Sequence, residues 1–389
     1  MRLPATREIG ICLPHATSHA QGVVAGIFKY CRSHGRWQYT VLSYRSDYGI
    51  SAIRKRMRSR GLAGVILDAW YPQMLRAFVR IRLPVVEIGG AWPADGAYSI
   101  IPDNVQVGRL GAQHLREKGL RNFAFYGTSG LLFSEQRERG FQEELASVPG
   151  IESLQSLDLP KSLRQNPERE RACIARFLRK AHRPLGVMCS HDYRAKEVLL
   201  CCQEMRLRVP EDVAIVGSGN DHFSSEASSC PITSVDLSPA TIGWTAARCI
   251  DRLSRGLAGP KAAVLIEPAG VIPRLSSDVL MVDDRNVADA IRFIREHAHE
   301  RIDVRDVLHA VPVSRRTLEL NCLRLLGRSP RQEIFRCHIE HAKRLLTDTH
   351  LPLKVVAEQS GFTSQSTFAV IFKRATGLTP LGYRQAATE

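Results

Sequence analysis

The chain has 389 residues, of which 44% are hydrophobic and 24% charged, which excludes a disordered chain and leaves room for two or three cores of ordinary size. No apolar run approaches the roughly 18 to 20 residues that span a bilayer, and the apolar part of the N-terminal MRLPATREIGICLPHATS is too short for a secretory leader, so the expected location is cytoplasmic. The net charge of +15 points to a polyanionic partner, nucleic acid first.

From residue 8 to about 275, short apolar runs alternate with amphipathic stretches, as buried parallel strands joined by crossover helices do. The predicted strands are EIGICLP, YTVLSY, GVILDAW, PVVEIGG, FAFYG, GVMCS and VAIVGSG. Between them the pattern predicts helices over Gln21–His34, Ile50–Arg60, Met74–Ile81, Asn104–Lys118, Glu135–Leu145, Pro167–Ala181, Arg194–Glu204 and Pro239–Arg255. Two doubly wound lobes need about this length, and ligands in such sheets sit beyond the carboxyl ends of the strands. The expected fold is therefore a two-lobed α/β domain over residues 1–275.

The alternation stops in PRLSSDVLMVDDRN, and a linker is expected over residues 276–286. Residues 287–389 then read as an all-α domain, with helices over Val287–His297, Asp303–Ala310, Ser314–Leu326, Pro330–Thr347, Leu353–Ser360 and Ser364–Thr376. Two of these pairs have a tight break between their members. In DVRDVLHAVPVSRRTLELNC, Val311 and Pro312 end one helix and Ser314 can cap the next, whose first turn carries Arg315, Arg316 and Thr317. About 48 residues later Gly361 supplies a turn before a helix opening with Ser364, Gln365, Ser366 and Thr367. IEHAKRLLTDT lies between the units with a helical apolar face, a rigid connector that would set two recognition helices into successive major grooves about 34 Å apart. The eight polar first-turn residues, with Lys373 and Arg374, are the expected DNA contacts.

GFTSQSTFAVIFKRATGLTPLGYR resembles the signature of the AraC family of transcription regulators, with Gly361, Phe362, Phe368, Phe372, Lys373, Gly377, Pro380 and Tyr383 in matching places. The likeness covers about residues 287–386. It implies a double helix-turn-helix domain whose aromatic residues are mostly core. One departure is ELNC, Glu319 to Cys322, where family members often have a more basic helix.

The first 275 residues resemble the ligand-binding domain of LacI-type repressors and periplasmic sugar-binding proteins, through PDNVQVGRLGAQHLREKGLRNFAFYG, RERGF and HDYRAKEVLLCCQEMRLRVPEDVAIVGSGND. A sensor of that kind placed ahead of an AraC-type domain is the arrangement of xylose-utilisation regulators. The resemblance implies a monosaccharide effector, xylose or a relative, a homodimer, and contact with RNA polymerase in an activator. Polyol sites use carboxylates, amides, arginine and an aromatic face, and the candidates at sheet edges are Glu87, Asp103, Arg137, Asp192, Asn220, Asp221 and Trp70. Tyr71 and Trp92, and His15, Ser18 and Gln21 in the first strand-to-helix loop, are weaker ones. Asp103 and Asp192 have an equal reading as helix caps. Gly219 stands where a LacI-type VGxDD pattern has its first Asp, which leaves the sugar open.

An enzyme is the rival class. The sequence has no G-x-x-x-x-G-K-[ST], G-x-S-x-G or H-E-x-x-H, and no G-x-G-x-x-G after the first strand. Ten cysteines are scattered without C-x-x-C spacing, and no segment completes a metal site with His297, His299, His338 and His341. No catalytic group, metal or cofactor is expected.

Overall fold

The computed structural model of the chain describes residues 7–14, 17–35, 37–42, 62–69, 71–81, 83–146, 148–158, 166–225, 230–279, 284–349 and 351–388. It divides into two compact units, Met1–Val279 and Leu280–Glu389.

Among the described residues the first unit has two six-stranded sheets. One contains β1 (Arg7–Cys12), β2 (Trp37–Val41), β3 (Leu62–Leu67), β4 (Val85–Glu87), β5 (Tyr98–Pro102) and β11 (Val264–Ile266), in the order β11-β5-β4-β3-β1-β2 and parallel throughout. The other contains β6 (Asn122–Tyr126), β7 (Ser153–Leu157), β8 (Leu185–Cys189), β9 (Val213–Ser218), β10 (Thr233–Asp236) and β12 (Gly270–Ile272), in the order β12-β10-β9-β8-β6-β7, with only β12 antiparallel. The central strands are buried along their whole length, as a sheet covered on both faces requires.

Helices α1 (Ser18–Ser33), α2 (Pro72–Val79), α3 (Asn104–Glu117), α4 (Leu132–Ala146), α5 (Pro167–Lys180), α6 (Asp192–Glu204), the single turn α7 (His222–Ser225) and α8 (Pro239–Ser254) cover them. Ile242, Ala246 and Ile250 of α8 pack with Ile9, Ile11 and Ile66 of the first sheet, whereas Val107, Ala112 and Leu115 of α3 pack with Phe123, Met188 and Val216 of the second. The chain therefore crosses between lobes three times: from β5 to α3, from β10 to α8, and from β11 to β12.

Each lobe contains a helix pair in near backbone contact. A Cβ on Gly26 of α1 would lie 2.0 Å from the Ala240 carbonyl oxygen, and one on Gly243 of α8 would lie 1.9 Å from that of Val23. In the second lobe, a Cβ on Gly108 of α3 would sit 1.9 Å from the Arg137 oxygen and one on Gly140 of α4 the same distance from that of Val105. Only hydrogen fits at these four places.

The expected linker over 276–286 is corrected at both ends. Ser276 and Ser277 are fully buried in the first unit: Ser276 Oγ donates to Ile215 O at 2.6 Å and accepts from Thr233 N at 2.9 Å, and Ser277 Oγ donates to Thr233 Oγ1 at 2.7 Å. Helix α9 (Arg285–Glu296) begins before residue 286, because Asp284 caps it by accepting from Asn286 N and Val287 N. The predicted helix Ile50–Arg60 and the end of YTVLSY lie outside the described residues. Strands β5, β7, β10, β11 and β12 were not expected, being three to five residues long and, in β7 and β10, partly polar.

The second unit continues with α10 (Val304–Ala310), α11 (Arg315–Leu326), α12 (Pro330–Asp348), α13 (Leu353–Gln359), α14 (Gln365–Thr376) and α15 (Pro380–Thr388), the last not expected as a separate helix. It holds two cores, and α12 belongs to both: Ile334 and Cys337 face the first, Ile339, Ala342 and Leu346 the second. Glu333 of α12 is fully buried between Arg328 and Arg336, so the helix is tied by charge as well as packing.

Gly140→Ala and Gly26→Ala are each expected to destabilise the first unit by about 2 to 3 kcal/mol, through forced separation of the paired helices. Gly150→Ala, at a surface φ of +87 with nothing near the new Cβ, should cost about 1 kcal/mol from backbone strain alone. Urea denaturation of the three variants checks this; equal losses would mean that the helix contacts are not tight.

Candidate effector site and nucleic-acid interface

The two lobes meet at the carboxyl ends of their strands through two sets of bonds. At one place the Ser18 backbone N–H, at the start of α1, donates to Asp221 Oδ1 at 3.0 Å, and His222 N donates to Ser18 Oγ at 3.0 Å. At the other, Leu132 N and Phe133 N of α4 donate to Ala91 O and Gly90 O, both at 3.1 Å. Glu87 shapes this second contact. It is buried at the end of β4, and its carboxylate accepts from Gly89 N at 2.7 Å and Gly90 N at 3.0 Å.

Arg137 of α4 is the central cation. Only 4% exposed, it donates from Nε to Asn104 Oδ1 at 2.9 Å, and from one terminal nitrogen to Ser190 O at 2.5 Å and Ser218 Oγ at 2.9 Å. The Phe133 ring lies 4.9 Å from its guanidinium carbon. Asp192 accepts from Ser234 Oγ at 2.7 Å and Asp221 N at 2.7 Å. A side chain at Gly217 would collide with its carboxylate, 2.1 Å from the new Cβ. Asn220 adopts a left-handed φ of 51 and bridges Asp236 and Arg274 through its amide. Sequence reasoning gave Asn220 as a sugar contact; its side chain is engaged in holding the loop that presents Asp221.

Burial sets the protonation of this cleft. It pushes Asp192 up to about 6 despite hydrogen bonds from Asp221 N and Ser234, and it pushes Asp68, at the end of β3, up to about 7 with Glu87 adding repulsion. Burial, then the charge of Arg137, lower His19 and His191 to about 4, so both imidazoles are neutral at pH 7. His19 Nδ1 and Trp92 Nε1 are buried without a hydrogen-bond partner among the described residues. Of the two, His19 lies beside Arg137 and Asp236 in the cleft, whereas Trp92 packs with the cluster around Leu67 and Phe78.

Of the expected ligand residues, Arg137, Asp192 and Asp221 come together around this cleft. Asp103 caps α3, accepting from Gln106 N at 3.1 Å. Trp70 and His15 lie outside the described residues. Tyr71 is largely exposed, whereas Trp92 packs inward. His19, Asp68 and His191 were missed: Asp68 and His191 sit in strand-to-helix loops and so met the criterion that selected Asp103, whereas His19 lies in the first turn of α1.

In the second unit the two helix-turn-helix elements repeat at an offset of 50 residues, Ser314 to Ser364. Each serine caps its helix by accepting from the backbone N–H three residues on, from Thr317 and Thr367, both at 3.2 Å. Helices α11 and α14 each run 12 residues and end at a left-handed glycine, Gly327 or Gly377. Arg315, Arg316, Thr317, Gln365, Ser366, Thr367, Lys373 and Arg374 are all exposed, and Arg315 pairs with Glu319 at 2.9 Å. Leu320 and Val370 occupy matching positions and are 57% and 70% exposed. Phe362, Phe368, Phe372 and Tyr383 stack in the second core.

Residues 112–277 match the family model described as a periplasmic binding protein-like domain, and residues 308–386 one described as a helix-turn-helix domain. The chain is 30% identical over 335 residues to the xylose operon regulatory protein of Escherichia coli strain K12, covering 84% of each chain. It is 28% identical over 329 residues to the protein of the same name from Haemophilus influenzae, covering 82% of this chain and 84% of that one. Among solved structures, that titled as the xylose-binding transcription activator xylR superimposes with a TM-score of 0.77 at 26% identity, over 98% of this chain and 99% of the other.

Asp192 yields a signed pH dependence. Its folded pKa of about 6 lies above the ordinary 3.8, so its contribution to stability is fully present below pH 3.8 and is lost as pH rises through 6. The melting temperature of Asp192→Asn relative to wild type is therefore expected to move in the variant's favour between pH 4 and pH 7, and calorimetric scans at both pH values check it. A constant difference would mean that Asp192 is solvated rather than buried.

Proposed function

The chain belongs to the family of xylose operon regulatory proteins, sugar-responsive transcription regulators that bind DNA, and from that premise we propose that it senses xylose or a closely related monosaccharide in the cleft around Arg137 and Asp192. The observation that carries this reading is the joining, in one chain, of a two-lobed cleft with unmatched polar groups to a pair of exposed, polar-fronted recognition helices. Asp192 and Asp68 would accept from sugar hydroxyls, His19 and Arg137 would donate, and the protein performs no chemistry on the ligand.

The mechanism is a population shift. Sugar favours the closed lobes, with Ser18 on Asp221 and Gly90 on Phe133, in proportion to its preference for that state. Closure is passed through the segment after Val279 to the helix-turn-helix unit of each member of a homodimer, changing the spacing at which two operator segments are met. The protein acts in the cytoplasm as an activator and meets RNA polymerase at the promoter. A sensor of a different small molecule on the same scaffold is the second reading, favoured by Gly219 in place of an acidic residue.

Two experiments divide the reading. In a thermal-shift series over pentoses, hexoses and sugar acids, a single sugar is expected to raise the melting temperature selectively by mass action, and Arg137→Met should remove the shift. A flat response to every sugar would transfer support to the second reading. For DNA, Arg315→Ala and Gln365→Ala should each weaken binding to the selected operator at least tenfold, about 1.4 kcal/mol, and leave the sugar-induced shift unchanged.

A further inference from the structure

The helix-turn-helix domain carries a half-open cavity of about 450 Å³. Its walls come from the loop entering α10, the shared helix α12, the turn at Gly361, and the first turns of both recognition helices through Arg315 and Thr367. Arg301, Arg305 and Arg331 also line it, against the one carboxylate of Asp303. Asp303 binds Arg305 at 2.9 Å and Arg315 binds Glu319 at 2.9 Å. Arg301 and Arg331 have no ion pair among the described residues, and Arg331 rests over the Phe335 ring with 5.6 Å to its centroid.

His338, from the middle of α12, is 2% exposed in the cavity wall, and its imidazole has the Glu300 backbone carbonyl as its polar neighbour. A Cβ on Gly361 would lie 2.6 Å from the His338 ring and 2.6 Å from Glu300 O, so only glycine lets the two helix-turn-helix elements approach here. Four guanidinium groups around a lining with the carboxylate of Asp303 are matched by an anion with several acceptor oxygens.

We propose that this cavity seats a phosphate of the DNA backbone, from the strand that passes between the two recognition helices. The proposal rests on the DNA-binding reading above. The position of the cavity selects DNA over a free anion as the source, because whatever fills it touches the first turns of both helices, the ends that face the duplex. Arg331 and Arg301 would neutralise the phosphate. A phosphate held there would fix the angle between the two recognition helices when both grooves are engaged, a positioning contact that carries no sequence information.

The test uses the full chain and a duplex enriched by it from a random-sequence pool. Each backbone phosphate is replaced in turn by a neutral methylphosphonate, and affinity is measured for wild type, Arg331→Gln and Arg301→Gln. Both arginines are exposed, so the variants should keep the wild-type melting temperature. Wild type is expected to lose about tenfold at one phosphate between the two contacted segments. Arg331→Gln should lose a similar factor on unmodified DNA, lose nothing more at that phosphate, and show a slope of log affinity on log salt smaller by about 0.9. Arg301→Gln should behave likewise. Parallel phosphate profiles in variant and wild type would overturn the proposal. So would an Arg331-dependent stabilisation of the DNA-free protein by inorganic phosphate with a flat phosphate profile, which would assign the cavity to a free anion. Failure to enrich any duplex would remove the DNA-binding reading itself and the proposal with it.

Discussion

Four glycines hold the sensor together by what they lack. Gly26 with Gly243, and Gly108 with Gly140, let the backbones of α1 and α8, and of α3 and α4, come closer than any Cβ would permit. These helices carry the groups that form the cleft: Ser18 and His19 begin α1, Asn104 begins α3, and Phe133 and Arg137 lie in the first half of α4. Separation of either pair by even an ångström would move one wall of the cleft relative to the other. Arg137 illustrates the dependence, because its three acceptors come from α3, from the loop after β8 and from the end of β9.

The two ends of the protein use charge in opposite ways. In the cleft, charge is buried and few groups are left unmatched, so burial lowers the histidines, raises Asp68 and Asp192, and makes each unmatched donor selective for a ligand that satisfies it. On the recognition helices, charge is exposed and weakly held, which suits contacts to phosphates made and broken in water. Leu320 and Val370 interrupt the polar front at matching positions.

Helix α12 gives the DNA-binding end its mechanical character. Because one helix contributes Ile334 to the first core and Leu346 to the second, the two helix-turn-helix elements cannot rotate independently without unpacking one of them. The buried carboxylate of Glu333, held to about 2 by Arg336 and Arg328 against the opposing effect of burial, pins the start of that helix. A phosphate bound beside His338 would add a third constraint, present only on DNA.

Much of this was legible in the residues because it depends on local periodicity. The alternation of apolar runs with amphipathic stretches marked the central strands and most helices, and the serine caps and Gly361 marked both helix-turn-helix elements. Arg137 was singled out by the R-x-x-G-F pattern shared with LacI-like relatives, and Asp192 by its place after a strand. Short β10, β11 and β12 carry too few residues for a period to show, and they are fixed by pairing with distant strands. Ser276 and Ser277 look like linker in sequence, yet Ile215 and Thr233, some sixty and forty residues away, make them core. The sequence by itself determined the fold class, the order of sensor and DNA-binding parts, and the polar character of the site, since these follow from composition and spacing along the chain. Only the tertiary structure decided that Glu87 shapes a loop, that Asn220 holds one, that His19 lies beside Arg137, and that arginines distant in sequence line the cavity at His338, because each depends on which groups long-range packing brings together.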